Sequence, residues 1–246
     1  MRLPSKILVL AVLAAGACGG AADSPPGPLA THFDDMYIAT IAPAQKPTVV
    51  QTQQDWSVAR MENAKAEADY NESATQLSIA QNDLKAAKLG VDSAVSAKKS
   101  AEASADTNRS NNATKDLHNA EDVAKAAEAR VKYIEAYRAY LKVALRSAQE
   151  GMYWREAQYE VAKAQVGQQN SIAPKGISYD SFPKQEQERQ KRASSAKNKL
   201  DSEKQRVMSA RENWRTAQET ADRETGRPGN FPDPLAEKTA SAGASQ

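Results

Sequence analysis

The sequence predicts an all-α fold: a long antiparallel coiled-coil hairpin with a third, shorter helix packed on its base half, flanked by a disordered tether and a disordered tail. Three observations lead to this prediction. No proline occurs between Pro47 and Pro174, and an interior proline would cost a helix about 3 kcal/mol. Apolar residues recur every seven positions, which is typical of coiled coils. Alanine supplies 46 of the 246 residues and aromatics only 6%, so thin, closely packed helices suit this composition better than a thick core.

The first 17 residues are organised like an export signal peptide. Arg2 and Lys6 form a short basic region, and residues 7–15 form an apolar run of nine residues. A helix needs about 20 apolar residues to span a bilayer, so this run is too short to do so. The only cysteine, Cys18, follows, and the stretch LAAGAC that ends with it resembles the lipobox of bacterial lipoproteins.

The resemblance implies cleavage before Cys18, attachment of diacylglycerol to its sulfur and acylation of the new amino terminus. Two or three acyl chains anchor a protein stably, because each buried CH₂ contributes about 0.8 kcal/mol. Gly19 stands where an Asp would keep many Gram-negative lipoproteins in the inner membrane, so the resemblance favours an outer-membrane anchor facing the periplasm. Ala15 and Ala17 also suit ordinary signal peptidase, which would leave a secreted protein with a free Cys18.

Residues 18–49 are predicted to form a flexible tether, because glycine and proline punctuate them as far as Pro47. A small apolar group offers an alternative, in which this part of the chain docks on the helical body. The group consists of Met36, Tyr37, Ile38 and Ile41.

A seven-residue repeat predicts the first helix over about residues 50–105. The same repeat resumes over about residues 112–169, and a third run predicts a shorter helix over about residues 184–225. In each helix two sets of repeating positions form a seam, meaning the line of residues that faces a neighbouring helix. The first helix has the seam residues Trp56, Asn63, Tyr70, Leu77, Leu84, Val91, Lys98 and Ala105, with Ala59, Ala66, Ser73, Ala80, Ala87, Ala94 and Ala101.

A polar stretch between the first two helices is predicted to form the hairpin turn. Asparagine tolerates left-handed backbone geometry and caps helices well. The residues assigned to the turn are Asn108, Arg109, Asn111 and Asn112.

Folding back about Arg109 places large seam residues opposite small ones, as antiparallel packing favours. Trp56 then faces Ala162, and Ala59 faces Tyr159. The alternative is one continuous helix over about residues 50–169, some 180 Å long at 1.5 Å per residue.

The third helix is expected to run antiparallel to the second and to end near the level of Gly90. The hairpin tip, roughly residues 91–127, would then remain two-stranded. Trp214 of the third helix is expected to pack in the core, rather than in an aromatic binding stripe, against a group of tyrosines on the second helix. These are Tyr133, Tyr137 and Tyr140.

Beyond the third helix, residues 226–246 are predicted to be a disordered tail, because the stretch GRPGNFPDP is followed mainly by small residues. The predicted organisation is a signal peptide over residues 1–17, a tether over 18–49, a three-helix domain over 50–225 and the tail.

Nothing in the sequence points to catalysis. His32 and His118 lie far apart, no glycine-rich loop follows a strand, and no nucleophile has a visible base. We therefore expect no catalytic residue, no metal site and no cofactor. The 33 basic and 31 acidic residues are mixed along the chain, which argues against a nucleic-acid partner, since such binding needs a basic face.

Two functions remain as hypotheses. The first is a membrane-anchored periplasmic coiled-coil lipoprotein that acts as a structural or protein-interaction scaffold of the cell envelope. Its partners would be the membrane, through lipid on Cys18, and unidentified envelope proteins, or a second copy of itself through apolar positions such as Met61, Ile79 and Leu89. The second is an adaptor or accessory protein that docks its hairpin on an envelope transport or secretion channel. Efflux adaptors of that kind carry β-rich domains beside the hairpin, and no convincing strand is predicted here.

Overall fold

A computed structural model describes residues 25–236, in which three long helices run alternately up and down. The elements are a short helix α1 (Asp35–Ala39), a 3₁₀ turn (Pro43–Gln45), and the long helices α2 (Pro47–Ala103), α3 (Thr107–Gln169) and α4 (Ser181–Thr225). With 57 and 63 residues, α2 and α3 are about 85 and 95 Å long. The predicted all-α hairpin with a third helix is confirmed, and the alternative of one continuous helix is wrong. The proposed signal peptide and Cys18 lie outside the described residues.

The central helix of the domain is α3. It packs against α2 on one side and α4 on the other, whereas α2 and α4 hardly meet. The three helices therefore form a layer rather than a closed bundle. Because it is covered on both sides, α3 buries eighteen residues, while α2 and α4 bury five each.

The seven-residue repeat identifies the covered faces of the outer helices. Every seam residue of α2 from Trp56 to Ala101 is buried or half-buried. The same holds for the residues that repeat every seven positions in α4, which are Ala193, Leu200, Val207, Trp214 and Ala221, with Ala196, Glu203, Ala210 and Ala217. The register of the hairpin differs slightly from the prediction. Trp56 stacks on Tyr159, with ring centroids 5.7 Å apart, so its partner lies about one helical turn before the predicted Ala162.

The hairpin reverses direction at residues 104–106, earlier than predicted. Ala105 adopts a left-handed backbone with φ of 56°, and Asp106 caps α3. Its side chain accepts hydrogen bonds from the backbone N–H groups of Asn108 (3.0 Å) and Arg109 (3.1 Å). The assignment of the turn to residues 108–112 is therefore wrong, because an aspartate cap starts the helix just as well as an asparagine cap does. The residues predicted for the turn lie instead in the first two turns of α3: Asn108, Arg109, Asn111 and Asn112.

The two-stranded tip is also present. Near the end of α4, Thr216 and Thr220 line a shallow surface cavity with Asp122 of α3. Farther from the tip, Arg130 of α3 forms an ion pair with Asp83 of α2, which places Asp122 level with about residue 91 of α2. Because α4 continues for five residues beyond Thr220, it ends about 7 Å closer to the tip than the predicted level of Gly90. Only α2 and α3 form the tip beyond it, so the tip is present but shorter than the predicted residues 91–127.

The prediction of a flexible tether over residues 18–49 is wrong for the described residues from 25 onward. Residues 25–46, called here the N-terminal segment, pack on the bundle and bury Leu29, Phe33, Ile38 and Ile41. The docking alternative suggested by the apolar group is therefore right, although Met36 itself stays exposed.

The prediction of a disordered tail is likewise wrong for residues 226–236. Asp233 accepts a hydrogen bond from the hydroxyl of Tyr133 (2.7 Å) and another from Nε of Arg211 (2.7 Å). Leu235 packs against the cluster that contains Tyr133. Polar contacts between distant residues hold this short segment, and composition alone does not reveal them.

Candidate functional site

Two buried charges on α3 hold the N-terminal segment in place. Glu160 and Lys163 lie one helical turn apart, and each side chain is only 4% exposed. The Lys163 ammonium group donates to the backbone oxygen of Phe33 (2.7 Å), to Asp35 (2.7 Å) and to Glu160 (2.8 Å). Glu160 in turn accepts from the backbone N–H of Phe33 (2.6 Å). Burial acts to lower the pKa of Lys163, but the hydrogen bonds to Asp35 and Glu160 outweigh it and raise the pKa above its ordinary value.

A glycine on α3 makes room for the aromatic ring that this cluster positions. Phe33 is 1% exposed, and a Cβ atom at Gly167 would come within 2.5 Å of its ring. Three other rings surround Phe33 with centroids about 6 Å away, those of Tyr37, Tyr179 and Phe182. The cluster and the ring together fix the position and direction of the N-terminal segment.

From Phe33 back toward its beginning, the N-terminal segment follows α4. Gln185 accepts from the backbone N–H groups of Ala30 (3.0 Å) and Thr31 (2.9 Å). One turn farther along α4, Arg189 donates to the backbone oxygen of Gly27 (2.9 Å). The segment therefore lies antiparallel to α4, and its first described residue, Pro25, lies beside a later part of that helix.

At Pro25 the chain reaches a groove with a volume of about 750 Å³, which we call the Pro25 groove. This volume is within the range of about 300–1,000 Å³ that ligand sites usually have. The groove lies over α3, between Tyr70 of α2 and residues 191–199 of α4. Apolar atoms dominate its lining, and they include those of Tyr70, Val143, Leu145 and Ala196.

The other lining residues make the groove strongly basic. It has one carboxylate, that of Glu150, which is 2% exposed. One of its oxygens accepts from Arg146 (2.7 Å) and from Arg192 (3.1 Å), so two guanidinium groups compensate this single negative charge. Three further basic side chains lie exposed along the same groove: Lys142, Lys191 and Lys199.

Sequence reasoning missed the Pro25 groove because its parts come from distant segments. Its basic residues lie on α3 and α4, about 50 positions apart, and only the register between these helices brings them together. The charge run over residues 184–192 appears mixed in the sequence, but Glu186 accepts from the indole N–H of Trp154 (2.6 Å), and it is not among the groove's lining residues. The residues predicted for the turn lie at the far end of the hairpin and contribute nothing to the groove.

Comparisons of the chain with protein-family models, with curated proteins and with solved structures give no match. Within residues 25–236, no three His, Asp or Glu side chains are grouped so that they could hold a metal ion. None of the helices in this part of the chain has a stretch long and apolar enough to cross a bilayer.

A second candidate surface is the outer face of α2, which points away from α3. Large apolar side chains are exposed along it, with exposed fractions from 46% to 69%, and α3 is the only long helix that packs extensively against α2. These side chains form a stripe that begins near the first residue of α2, Pro47, and extends over about 40 residues, or about 60 Å. Its members are Val50, Val58, Met61, Ile79 and Leu89.

Proposed function

We propose that this protein is a lipid-anchored, periplasmic coiled-coil scaffold of the cell envelope, which binds other envelope proteins through its helices. The observation that carries this proposal is the apolar stripe on the outer face of α2. A patch that is long and narrow suits an amphipathic helix of a partner protein, because such a helix places apolar residues along one face. The five side chains share a face that no other long helix of the described residues covers, so this face is open to such a partner.

The membrane anchor in this proposal is supported by the basic region, the apolar run and the lipobox-like stretch that ends at Cys18. Cys18 lies seven residues before Pro25, and a fully extended chain of seven residues spans at most about 25 Å. Since the N-terminal segment is fixed from Pro25 onward, a lipid on Cys18 would keep the part of the bundle beside Pro25 within about 25 Å of the membrane.

The anchor is tested by inhibiting lipoprotein signal peptidase in cells that produce the full chain. We expect a more slowly migrating precursor to accumulate and the processed, membrane-partitioned form to disappear. A Cys18→Ser variant should be released from the membrane fraction by a high-salt wash, which screens charge-based binding to lipid but does not remove a lipid anchor. Unchanged migration and partitioning in both experiments would rule out the lipid anchor.

The scaffold role is tested by proximity labelling in the native cell. We compare the wild-type chain with a stripe variant that carries Met61→Gln, Ile79→Gln and Leu89→Gln. The matched control carries Val123→Gln and Met208→Gln, which replace exposed apolar residues on α3 and α4. Loss of labelled neighbours from the stripe variant alone is the expected result, and retention of every neighbour would contradict the scaffold role.

The second candidate function, an adaptor on an envelope channel, is favoured by the hairpin tip, where α2 and α3 project beyond α4. Removing residues 91–97 and 112–118 deletes one heptad from each helix. It shortens the hairpin by about 10 Å and preserves the register. If this variant loses neighbours that the stripe variant keeps, recognition lies at the tip and the adaptor function replaces the scaffold.

A further inference from the structure

The Pro25 groove lies where a lipid-anchored chain would meet its membrane. The N-terminal segment runs along α4 from Thr31 at Gln185 to Gly27 at Arg189, and Pro25 lines the groove itself. Cys18 lies seven positions before Pro25. A lipid on Cys18 would therefore place the bilayer surface within about 25 Å of the groove.

The lining of the groove combines two kinds of surface that suit one kind of molecule. Apolar atoms of Tyr70, Val143 and Leu145 can cover hydrocarbon. The exposed lysines, Lys142, Lys191 and Lys199, attract negative charge. The only carboxylate in the lining, Glu150, accepts from Arg146 and Arg192, so the lining holds five basic side chains against one acidic one, beside an apolar floor.

We propose that the Pro25 groove binds an anionic phospholipid of the membrane that carries the anchor. The lysines bind the phosphate of the headgroup, and an acyl chain lies along the apolar floor. This inference rests on the proposed lipid anchor for its membrane partner. Its effect would be to hold the face that carries the groove against the bilayer in one orientation, rather than leaving the bundle free to turn about the link to Cys18.

Two other occupants fit the groove less well. The first is the lipid on Cys18 itself, which would consist of diacylglycerol attached to the sulfur and an acyl chain attached to the amino group. This lipid carries no negative charge to match the lysines. An acidic helix of another protein is about 10 Å wide, and less than two turns of it would fill a groove of about 750 Å³.

The test measures binding of the exported Cys18→Ser form of the full chain to lipid vesicles by co-sedimentation. The vesicles contain phosphatidylcholine alone or phosphatidylcholine mixed with phosphatidylglycerol. We expect clear binding only to the vesicles with phosphatidylglycerol. Equal binding to both kinds, or to neither, would overturn the proposal.

A charge variant and its control then locate the binding site. The groove variant carries Lys142→Gln, Lys191→Gln and Lys199→Gln, and the control carries Lys65→Gln, Lys85→Gln and Lys99→Gln, which are exposed on α2. Each lysine near an anionic surface contributes roughly a five-fold gain in binding, so the groove variant should bind about 100-fold more weakly. Similar losses in the two variants would mean that charge is recognised without the groove.

A second pair of variants tests the groove without changing its charge. Ser195 lines the groove, and the adjacent Ser194, which is also exposed, does not. We expect Ser195→Trp to fill the groove and weaken binding to phosphatidylglycerol vesicles at least ten-fold, while Ser194→Trp binds like the parent chain. Circular dichroism checks that every variant keeps its helix content. Equal binding by the two tryptophan variants would overturn the proposal.

This test and the test of the anchor can fail separately. Vesicle binding uses a chain without the Cys18 lipid, so its failure leaves the lipid anchor unaffected. Conversely, if the wild-type chain is never lipidated, it could still bind phosphatidylglycerol vesicles. Lipid binding by the groove would then stand, and only the identity of the membrane that the groove meets would change.

Discussion

Trp214 of α4 stacks on Tyr133 of α3, with ring centroids 5.2 Å apart and ring planes inclined by 8°. Tyr133 is fully buried and Trp214 is 5% exposed. This contact links α4 to α3 within a buried apolar cluster that also contains Val207. Removing a buried tryptophan side chain usually costs about 3–5 kcal/mol.

We therefore expect Trp214→Ala to lower the free energy of unfolding by about 3–5 kcal/mol, measured by urea unfolding with circular dichroism at the helix band. The control is Met208→Ala on the same helix, where a side chain that is 43% exposed should change stability by less than about 0.5 kcal/mol. Equal losses from the two variants would show that the stacked pair does not hold α4 to α3.

The heptad pattern predicts this contact because a repeat of seven fixes which residues of a helix face a neighbour. The same pattern gives the three long helices to within a few residues and the covered faces of α2 and α4. It cannot give the hairpin turn, since several polar residues near position 106 cap helices comparably well. In the structure α3 begins directly after Asp106, whose carboxylate caps the helix.

Gly167→Ala should release the N-terminal segment, because the added Cβ would lie 2.5 Å from the ring of Phe33. The ring would have to leave its site, and the hydrogen bonds of the Phe33 backbone to Glu160 and Lys163 would break with it. We expect amide hydrogen exchange of residues 25–46 to increase at least ten-fold, while the exchange of mid-helix residues in α3 stays as it was.

The matched control is Gly151→Ala on the same helix, where nothing lies within 4 Å of the added Cβ. Alanine has a higher helix propensity than glycine, so this variant should gain about 0.5–1 kcal/mol and leave the N-terminal segment protected. If Gly167→Ala also stabilises the chain and keeps the segment protected, the close approach of Phe33 is not what holds it.

The apolar group in residues 36–41 suggested that the N-terminal segment could dock, but neither its position on the bundle nor the Pro25 groove could be predicted from the sequence. The segment depends on contacts between residues more than 100 positions apart, such as Phe33 with Glu160 and residues 27–31 with α4. The groove depends on the register between α3 and α4, whose basic residues lie about 50 positions apart. Glycine and proline in this segment are typical of a tether. The sequence does not show that Gly167 on α3 leaves room for the ring of Phe33.

Ala105→Gly should stabilise the hairpin, because Ala105 has a positive φ of 56°. A left-handed conformation costs an L-residue with a Cβ roughly 1 kcal/mol, and glycine avoids this penalty. We expect a gain of about 0.5–1 kcal/mol in the free energy of unfolding. Asp106→Ala should lose about 1 kcal/mol, since its carboxylate caps two backbone N–H groups of α3.

Asn111→Ala and Asn112→Ala distinguish the observed turn from the predicted one. In the structure both residues are exposed within α3, where alanine is the better helix former, so each substitution should be neutral or slightly stabilising. If either asparagine were part of the turn, its replacement would instead cost about 1 kcal/mol, measured by urea unfolding. That loss, together with a neutral Ala105→Gly, would place the turn at residues 108–112.

Acid should release the C-terminal segment of residues 226–236 from the bundle. Burial acts to raise the pKa of Asp233, but hydrogen bonds from Arg211 and Tyr133 outweigh it and hold the pKa below its ordinary value. A carboxylate whose pKa is lowered by folding stabilises the folded state above its unfolded pKa, near 3.9, and this contribution is lost as the pH falls below that value. Because hydrogen bonds to charged groups contribute about 2 kcal/mol each, the segment should stay bound at neutral pH and loosen below about pH 4.

The backbone amide of Leu235 reports this release, since it donates to Asp233 (3.2 Å) and to the hydroxyl of Tyr133 (3.4 Å). Its hydrogen-exchange protection factor, measured by NMR between pH 6 and pH 3, should fall with acid, while that of Leu141 in the middle of α3 stays constant. Asp233→Asn should lower the protection of Leu235 at pH 6 and remove its dependence on pH, because the asparagine does not titrate. Protection that falls with acid equally in the wild type and in this variant would assign the titration to another group.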